Sequence, residues 1–309
     1  MKLLSFLNLL VAVLIISSCK STQERESEST GDNIQQNNIQ VQGHRGDRGS
    51  YPENTIRSFY SAIEKGANVI ELDVVISGDN KVVVSHEPYM HSLYMLDPSG
   101  DSIPEADQKK YNFYTMAYDS IRKFDAGSKG NKLFPDQKAM ASYKPLLSEL
   151  IDSVETFIQK HNYQPIKYNI ELKSGEKHYG KFQPFPEEFV NLVMAVVSEK
   201  KINDFSNIQS FDTRILNYLN KAYPEMEVGY LISGVGIPRQ LAKLDFKPDN
   251  YNPYFGLVES REFVDSVKAL DMKLIPWTVN TQEDISRMIE LEVDGIITDY
   301  PERVIEKLH

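Results

Sequence analysis

The pattern of apolar and polar positions changes at residue 39. From Ile39 onward, apolar runs of strand length alternate with segments whose apolar residues recur every three to four positions. This alternation is typical of βαβ units and a parallel sheet. Leaving aside one short extra strand, we predict eight strands, at residues 39–44, 69–75, 166–172, 207–211, 226–232, 250–257, 273–279 and 294–298.

The segments between the predicted strands carry helical periodicity. In the first of them, Ile56, Phe59 and Ile63 share one face, and Gly66 is well placed to end the helix. We predict helices at residues 55–65, 146–159, 186–199, 213–222, 259–270, 283–291 and 302–308. Eight strands that alternate with helices predict an α/β fold, a (β/α)8 TIM barrel, with a doubly wound sheet as the structural alternative.

The repeat is interrupted after the second strand. Gly78-Asp79-Asn80 is typical of a turn, and residues 81–86 resemble a further short strand, so this region predicts a hairpin appended to strand two. The segment Glu87–Tyr114 that follows is irregular and rich in Tyr, Pro and Asp. We interpret it as an insertion in the barrel domain and not as a separate domain.

Charged residues inside two predicted strands indicate chemistry. Glu71 and Asp73 share one face of the second strand, because side chains alternate with a period of two. Both faces of a barrel strand are buried, so these carboxylates would enter the lumen near its C-terminal mouth. Glu171 and Lys173 share a face of the next strand in the same way. Three oxygen ligands without a thiol favour one divalent cation, Mg²⁺ or Ca²⁺. A buried Glu171–Lys173 ion pair or a solvated strand face is the alternative.

Two histidines occupy predicted strand ends. His44 ends the first strand and is followed by Arg45, whereas His86 ends the hairpin strand. A single histidine in such a position is more often structural than catalytic. Two of them, with an adjacent arginine, indicate acid–base chemistry on an anion.

The N-terminus predicts export and a lipid anchor. Behind Lys2, Leu3–Ile16 is mostly apolar, and small residues then lead to Cys19, as in a signal peptide. The run of small residues that ends in cysteine resembles a bacterial lipobox, which implies cleavage before Cys19 and lipid attachment to it. An ordinary signal peptide or a membrane-spanning helix is the alternative, although a span needs ~20 apolar residues.

The predicted domain organisation follows from these features. Residues 1–18 would be the signal peptide, and residues 19–38, which are polar, would form a flexible lipid-anchored linker. Residues 39–309 would form the barrel domain. We expect the protein in the bacterial cell envelope, exported and held at a membrane through Cys19, on a periplasmic or surface-exposed face.

Charge and cysteine content narrow the function further. The chain has 44 acidic and 34 basic residues and a net charge of −10, which argues against a nucleic-acid surface. An anionic substrate is still compatible, because the charge at a site can oppose the net charge. Cys19 is the only cysteine, which excludes an intrachain disulfide and a zinc site built from several thiolates.

A series of short motifs runs along the chain in a fixed order. They are His-Arg-Gly at 44–46, Pro-Glu-Asn-Thr at 52–55, Glu-Leu-Asp-Val at 71–74, Ser-His-Glu-Pro at 85–88, Ile-Glu-Leu-Lys at 170–173, Trp-Thr-Val-Asn at 277–280 and Ile-Thr-Asp-Tyr-Pro at 297–301. Their order and spacing, from about Val41 to Pro301, resemble the glycerophosphodiester phosphodiesterase family. The resemblance implies a metal-dependent barrel hydrolase that converts a glycerophosphodiester to glycerol 3-phosphate and an alcohol.

The resemblance also implies roles for individual residues. Carried over position by position, it assigns metal ligands Glu71, Asp73 and Glu171, an acid–base pair His44 and His86, substrate contacts Arg45, Lys173 and Trp277, and a supporting Glu53. Trp277 could equally be a core aromatic. The chain departs from the family at Glu87, where an aspartate usually follows the second histidine, and the segment after it does not follow the usual continuation.

Two other functions are compatible with the sequence. One is a phospholipase D-like lipid hydrolase on the same barrel, and the other is a non-catalytic surface lipoprotein that binds a ligand. The sequence leaves open the head group, the cation, the oligomeric state and which histidine is the acid. It also leaves open whether the glycerol 2-hydroxyl, through a cyclic phosphate, or water attacks the phosphorus first.

Overall fold

The computed structural model describes residues 39–309, in which strands and helices alternate. The strands are β1 (Gln40–His44), β2 (Val69–Ile76), β3 (Val82–Val84), β4 (Lys167–Leu172), β5 (Ser206–Ser210), β6 (Glu227–Ile232), β7 (Asn250–Pro253), β8 (Lys273–Leu274) and β9 (Gly295–Thr298). The helices are α1 (Ile56–Glu64), α2 (Tyr118–Ile121), α3 (Leu147–His161), α4 (Pro186–Glu199), α5 (Thr213–Ala222), α6 (Ile237–Leu241), α7 (Arg261–Lys268), α8 (Gln282–Glu290) and α9 (Pro301–Leu308). Single 3₁₀ turns cover Gln108–Lys110, Phe113–Thr115, Glu176–His178, Asn203–Phe205 and Phe255–Leu257.

Eight of these strands form a parallel barrel. Their spatial order is β8-β7-β6-β5-β4-β2-β1-β9. The barrel closes between β8 and β9, because the Asp294 amide donates to the Leu274 carbonyl at 2.9 Å and the Ile297 amide donates to the Pro276 carbonyl at 3.0 Å. Closure confirms the predicted (β/α)8 barrel and excludes the doubly wound sheet, whose edges stay open.

Helix α1 shows how the sequence builds one repeat. The Thr55 side chain accepts a hydrogen bond from the Ser58 amide and caps the helix, which satisfies one of the free amides at its start. Phe59, Ala62 and Ile63 are buried against the sheet, as the apolar spacing predicts. Burial of these side chains supplies most of the stability of so short a helix.

The hairpin and the insertion are also present. Strand β3 pairs antiparallel with β2, with Val84 opposite Val74. The insertion extends past Tyr114, to the residues just before α3, and it is less irregular than predicted. It contains α2 and packs against the hairpin in a separate hydrophobic cluster. This cluster is formed by Val75 and Val83 of the hairpin and by Met90, Tyr94, Met95, Ile103, Phe113, Tyr118, Ile121, Phe124 and Ala126 of the insertion. We refer to these residues as the insertion core.

Two predicted strand ends were wrong, and one short helix between the barrel strands was missed. The strand predicted at 250–257 ends at Pro253, and the strand predicted at 273–279 ends at Leu274. Pro276 lies in the second of these segments and has no amide to donate to a ladder. Helix α6 was missed because it is only five residues long and begins beside Gly236 and Pro238.

The described residues do not reach the predicted export and anchoring segment. The signal peptide, the linker and Cys19 lie before residue 39, outside this range. Between residues 39 and 309, no helix is both long and apolar enough to cross a membrane.

Candidate active site

Three carboxylates meet inside the barrel near the C-terminal ends of its strands. Glu71 and Asp73 come from β2, and Glu171 on β4 is the register partner of Asp73. All three are buried, and each offers one oxygen that lies within 4.8 Å of the other two. The structure therefore brings together the three residues that strand alternation placed on lumen-facing positions.

The electrostatics of this cluster suit a cation. Burial, followed by the charges of Asp73 and Glu171, raises the pKa of Glu71 well above its usual range. Burial acts in the same direction on Asp73, but the positive charges around it, Arg45 first and then His86, Lys173 and His44, together outweigh burial and lower the pKa of that carboxyl. The Asp73 Oδ1 atom is buried and has no hydrogen-bond partner within the described chain. Three carboxylate oxygens, one of which accepts no hydrogen bond, fit a hard divalent cation such as Mg²⁺ or Ca²⁺.

Lys173 lies at the edge of the carboxylate cluster. Its Nζ is 2.6 Å from a Glu171 oxygen and 3.7 Å from Asp73 Oδ1. The charges of Glu171 and Asp73 overcome the effect of burial and raise the pKa of Lys173, so it stays protonated. The ammonium is thus fixed beside the cluster, where it can meet an anionic ligand.

His44 projects from the end of β1 and is held by a carboxylate. Its Nδ1 lies 2.7 Å from Asp299 Oδ1, at the end of β9. The second Asp299 oxygen accepts a hydrogen bond from the Asn280 side chain at 2.7 Å, and Arg48 lies 3.8 Å from the first. Burial lowers the pKa of His44, against the opposing charge of Asp299. Because Asp299 occupies Nδ1, Nε2 is the nitrogen free to exchange a proton with a ligand.

His86 follows the hairpin strand β3 and has a carboxylate partner of its own. Its Nδ1 lies 2.8 Å from Glu87 Oε1. The side chain of His86 is 30% exposed, against 13% for His44. The more open histidine therefore lies on the insertion side of the site.

Arg45 is turned toward carboxylates and not toward open solvent. It adopts a left-handed backbone conformation with φ of 55°. Its amide donates to Glu71 at 3.0 Å, and its guanidinium lies 2.8 Å from Glu53 and 3.2 Å from Asp73. Glu53 also pairs with Arg48 at 2.6 Å. Although burial opposes it, the two arginines lower the pKa of Glu53 to about 2. Arg45 and Glu53 thus hold the floor of the site in place.

A cavity of about 200 Å³ connects these groups. Trp277 lies in its wall, with its indole nitrogen donating to the Asn252 carbonyl at 2.9 Å and its ring 5.3 Å from that of Phe211. The side chains that line the cavity include His44, Arg45, Glu71, His86, Glu171, Lys173, Phe211 and Trp277. A larger cavity of about 600 Å³ lies among residues such as Pro224, Asp249 and Met272. None of the carboxylates and histidines described above lines that larger cavity, so the smaller one is the candidate active site.

Several side chains of the site were not predicted from the sequence. Asp299 and Asn280 hold His44, and the Gln209 side chain donates to Glu71 at 3.0 Å. Asp299 and Asn280 lie within two of the quoted motifs, which was the only available signal for them. Gln209 lies inside the predicted strand at 207–211, as Glu71 lies inside its own strand, and a polar residue at an interior strand position could have marked it.

Fold and site together define a barrel enzyme with a carboxylate cluster and two carboxylate-supported histidines around one cavity. The chain belongs to the glycerophosphoryl diester phosphodiesterase family, whose sequence profile matches residues 44–303. Hydrolysis of glycerophosphodiesters is the activity that this membership supports. The protein is accordingly a phosphoric diester hydrolase.

Individual relatives agree with this placement. A glycerophosphodiester phosphodiesterase of Caldanaerobacter subterraneus is 34% identical over 267 residues, which cover 86% of this chain and 96% of the relative. A crystal structure from Silicibacter pomeroyi, provisionally named a glycerophosphoryl diester phosphodiesterase, has a TM-score of 0.77 at 29% identity and covers 87% of this chain and 93% of its own. A phosphodiesterase of Oleispira antarctica, solved with its product sn-glycerol-3-phosphate, has a TM-score of 0.68 at 23% identity, over 86% of this chain and 95% of its own. At 23% identity, the comparison with the Oleispira antarctica structure supports the fold alone.

Proposed function

We propose that the protein cleaves glycerophosphodiesters to glycerol 3-phosphate and an alcohol, with one divalent cation and two histidines. The observation that carries the proposal is the shared cavity. His44 and His86 line it together with Glu71, Glu171 and Lys173. This cavity brings together an acid–base pair, a carboxylate cluster that can hold a cation and a fixed ammonium. Such an arrangement suits the cleavage of a phosphodiester.

The cation would be held by Glu71, Asp73 and Glu171. When bound there, it supplies Lewis-acid stabilisation for a phosphoryl oxygen. Lys173 adds a positive charge at the edge of the cluster, where it can bind the phosphate. Arg45 forms ion pairs with Glu53 and Asp73, so its main role would be to hold the metal ligand Asp73 in place. Its positive charge would also favour a bound phosphate.

The histidines would move the protons. One Nε2 removes the proton from the attacking hydroxyl as the new P–O bond forms. The other donates a proton to the departing alkoxide oxygen as the old P–O bond breaks. The attacking hydroxyl is that of water or the glycerol 2-hydroxyl, and in the second case water then opens the cyclic phosphate. Trp277 would lie against the glycerol portion of the substrate.

The experiment measures glycerol 3-phosphate release from glycerophosphocholine and glycerophosphoethanolamine by the purified protein, with EDTA, Mg²⁺ or Ca²⁺. We expect cation-dependent release that Glu71→Ala or His44→Ala abolishes and that His86→Ala lowers to a small residual rate. His161→Ala is the matched control, because His161 is exposed at the end of α3. Release in EDTA at the full rate contradicts the role of the cation. A folded protein that cleaves intact phospholipid but neither deacylated substrate is a lipid hydrolase instead.

We also propose that the mature protein is lipid-anchored at Cys19 in a bacterial cell envelope. The apolar run behind Lys2 and the small residues before Cys19 support this proposal. We expect the full-length protein in the membrane fraction of an expressing bacterium, and we expect Cys19→Ser to release it from that fraction. A protein that stays in the membrane fraction after the substitution contradicts lipid attachment at this residue.

A further inference from the structure

Tyr94 belongs to the insertion core but carries its hydroxyl to the active site. Its side chain is buried, 6% exposed. A tight turn holds its backbone, in which the Met95 amide donates to the His91 carbonyl at 3.1 Å. The Tyr94 hydroxyl donates to Glu87 Oε2 at 2.6 Å. The insertion thus reaches the residue that follows His86.

Glu87 connects this hydroxyl to the histidine. One of its oxygens accepts from Tyr94, and the other lies 2.8 Å from His86 Nδ1. Burial opposes the ionisation of Glu87, but the hydrogen bond and charge of His86 hold its pKa below the usual range. Burial and the Glu87 charge raise the pKa of Tyr94, so the phenol keeps its proton and donates it. Each Glu87 oxygen therefore has one defined partner.

The Tyr94 ring is itself fixed. The Lys144 ammonium lies 5.1 Å from the ring centroid, and the His91 ring stacks on it at 5.3 Å with an interplanar angle of 7°. Lys144 is fully buried, and its hydrogen bond to the Glu53 carbonyl is long, at 3.4 Å. A buried cation over an aromatic face restrains that ring more than an exposed one does. The hydroxyl is consequently held in one place relative to Glu87.

We propose that Tyr94 and Glu87 are positioning residues for His86. The Tyr94 hydroxyl fixes the Glu87 carboxylate, and the carboxylate fixes the orientation of the imidazole so that Nε2 faces the cavity. This inference rests on the proposed function, in which His86 transfers a proton. It gives the insertion a role in the reaction, because a group in the insertion core sets the geometry of one of the two histidines. A displacement of such a group by about 1 Å can cost roughly 10²-fold in rate.

The experiment compares Tyr94→Phe with Tyr118→Phe. Both tyrosines are buried in the insertion core at 6% exposure, but the Tyr118 hydroxyl bonds to the Lys144 carbonyl and not to Glu87. We expect Tyr94→Phe to lower kcat by roughly tenfold or more and to change KM by less than about twofold, since a hydrogen bond to a charged group is lost. We expect Tyr118→Phe to change neither constant. Glu87→Gln, which keeps the shape of the side chain, should lower kcat at least as far.

A double-mutant cycle separates positioning from general support of the fold. If Tyr94 acts through His86, Tyr94→Phe will not lower the residual rate of a His86→Ala enzyme any further. An unchanged kcat for Tyr94→Phe overturns the inference, as does the same fractional loss in both backgrounds. If His86→Ala itself keeps the normal rate, the proposed role of His86 fails, and that result is distinct from a failure of Tyr94 to act through it.

Discussion

The contact between His44 and Asp299 gives the sharpest test of the site. Asp299 is buried, lies 2.7 Å from His44 Nδ1 and accepts a second hydrogen bond from Asn280. Asp299→Asn keeps the size of the side chain but removes the charge, and it presents either an amide or a carbonyl to the imidazole. An amide facing Nδ1 would force the proton onto Nε2, which is the wrong tautomer for a base. In catalytic triads the equivalent change lowers kcat by about 10⁴, so we expect a loss of roughly 10²–10⁴ here.

The stability effect follows from the pKa of Asp299. Burial raises it, but His44, through its charge and hydrogen bond, and Arg48 lower it to about 2, against a usual 3.8. That difference corresponds to about 2 kcal/mol of favourable interaction with the charged form. Because the folded-state pKa is the lower one, this contribution is complete above 3.8 and is lost as the pH falls through about 2. At a pH above 3.8 at which His44 still carries its charge, Asp299→Asn should therefore lower the free energy of unfolding by about 2 kcal/mol.

The assay is steady-state hydrolysis of glycerophosphocholine, combined with urea unfolding. Asp294→Asn is the matched control, because Asp294 precedes the same strand and its side chain accepts from the Leu274 amide at 2.8 Å, away from His44. We expect the control to keep its kcat. If Asp299→Asn loses stability but keeps kcat within about threefold of the wild-type value, Asp299 is a structural residue and the reasoning about tautomers is refuted.

Three further predictions follow from the same geometry. Glu71 has a raised folded-state pKa, so the stability of the metal-free protein should fall as the pH rises above 4.5. Mg²⁺ or Ca²⁺ should restore that stability, measured by thermal unfolding, and a pH-independent stability in EDTA contradicts the prediction. Phe59→Ala should lower the free energy of unfolding by about 3–5 kcal/mol in urea titrations, because Phe59 is fully buried. Leu270→Ala, at an exposed position, should change it little, and equal effects of the two substitutions would argue against the packing of α1. Lys173→Met should raise KM about tenfold or more by removing the ammonium beside the cluster, and an unchanged KM in initial-rate assays would exclude it as a phosphate contact.

The fold could be predicted because its signals are local. Strand and helix periods, turn residues and helix caps each lie within one element, and the predicted barrel strands overlap those of the structure. The carboxylate cluster followed from the same period, since Glu71, Asp73 and Glu171 occupy alternate positions of their strands. The insertion core could not be predicted in this way. Most of its residues, from Met90 to Ala126, are joined by tertiary packing without a regular period.

The carboxylate partners of the two histidines could not be predicted from local sequence patterns. Asp299 is separated from His44 by 255 residues, and only the pairing of β9 with β1 brings them together. Glu87 adjoins His86 in the chain, but its orientation depends on Tyr94 within the insertion core. The sequence departs from the usual family pattern at that glutamate. The structure shows that this residue connects the histidine to the insertion core.

The two histidines are therefore supported by different parts of the molecule. His44 depends on Asp299, and hence on the pairing of β1 with β9 within the barrel. His86 contacts Glu87, and Glu87 contacts Tyr94, which belongs to a hydrophobic cluster distinct from the main core. Since distant sites without shared partners usually act independently, changes in the insertion can alter the geometry of His86 and leave His44 unaffected. We therefore expect changes at Tyr94 to alter the activity at a lower cost to the stability of the barrel than changes at Asp299.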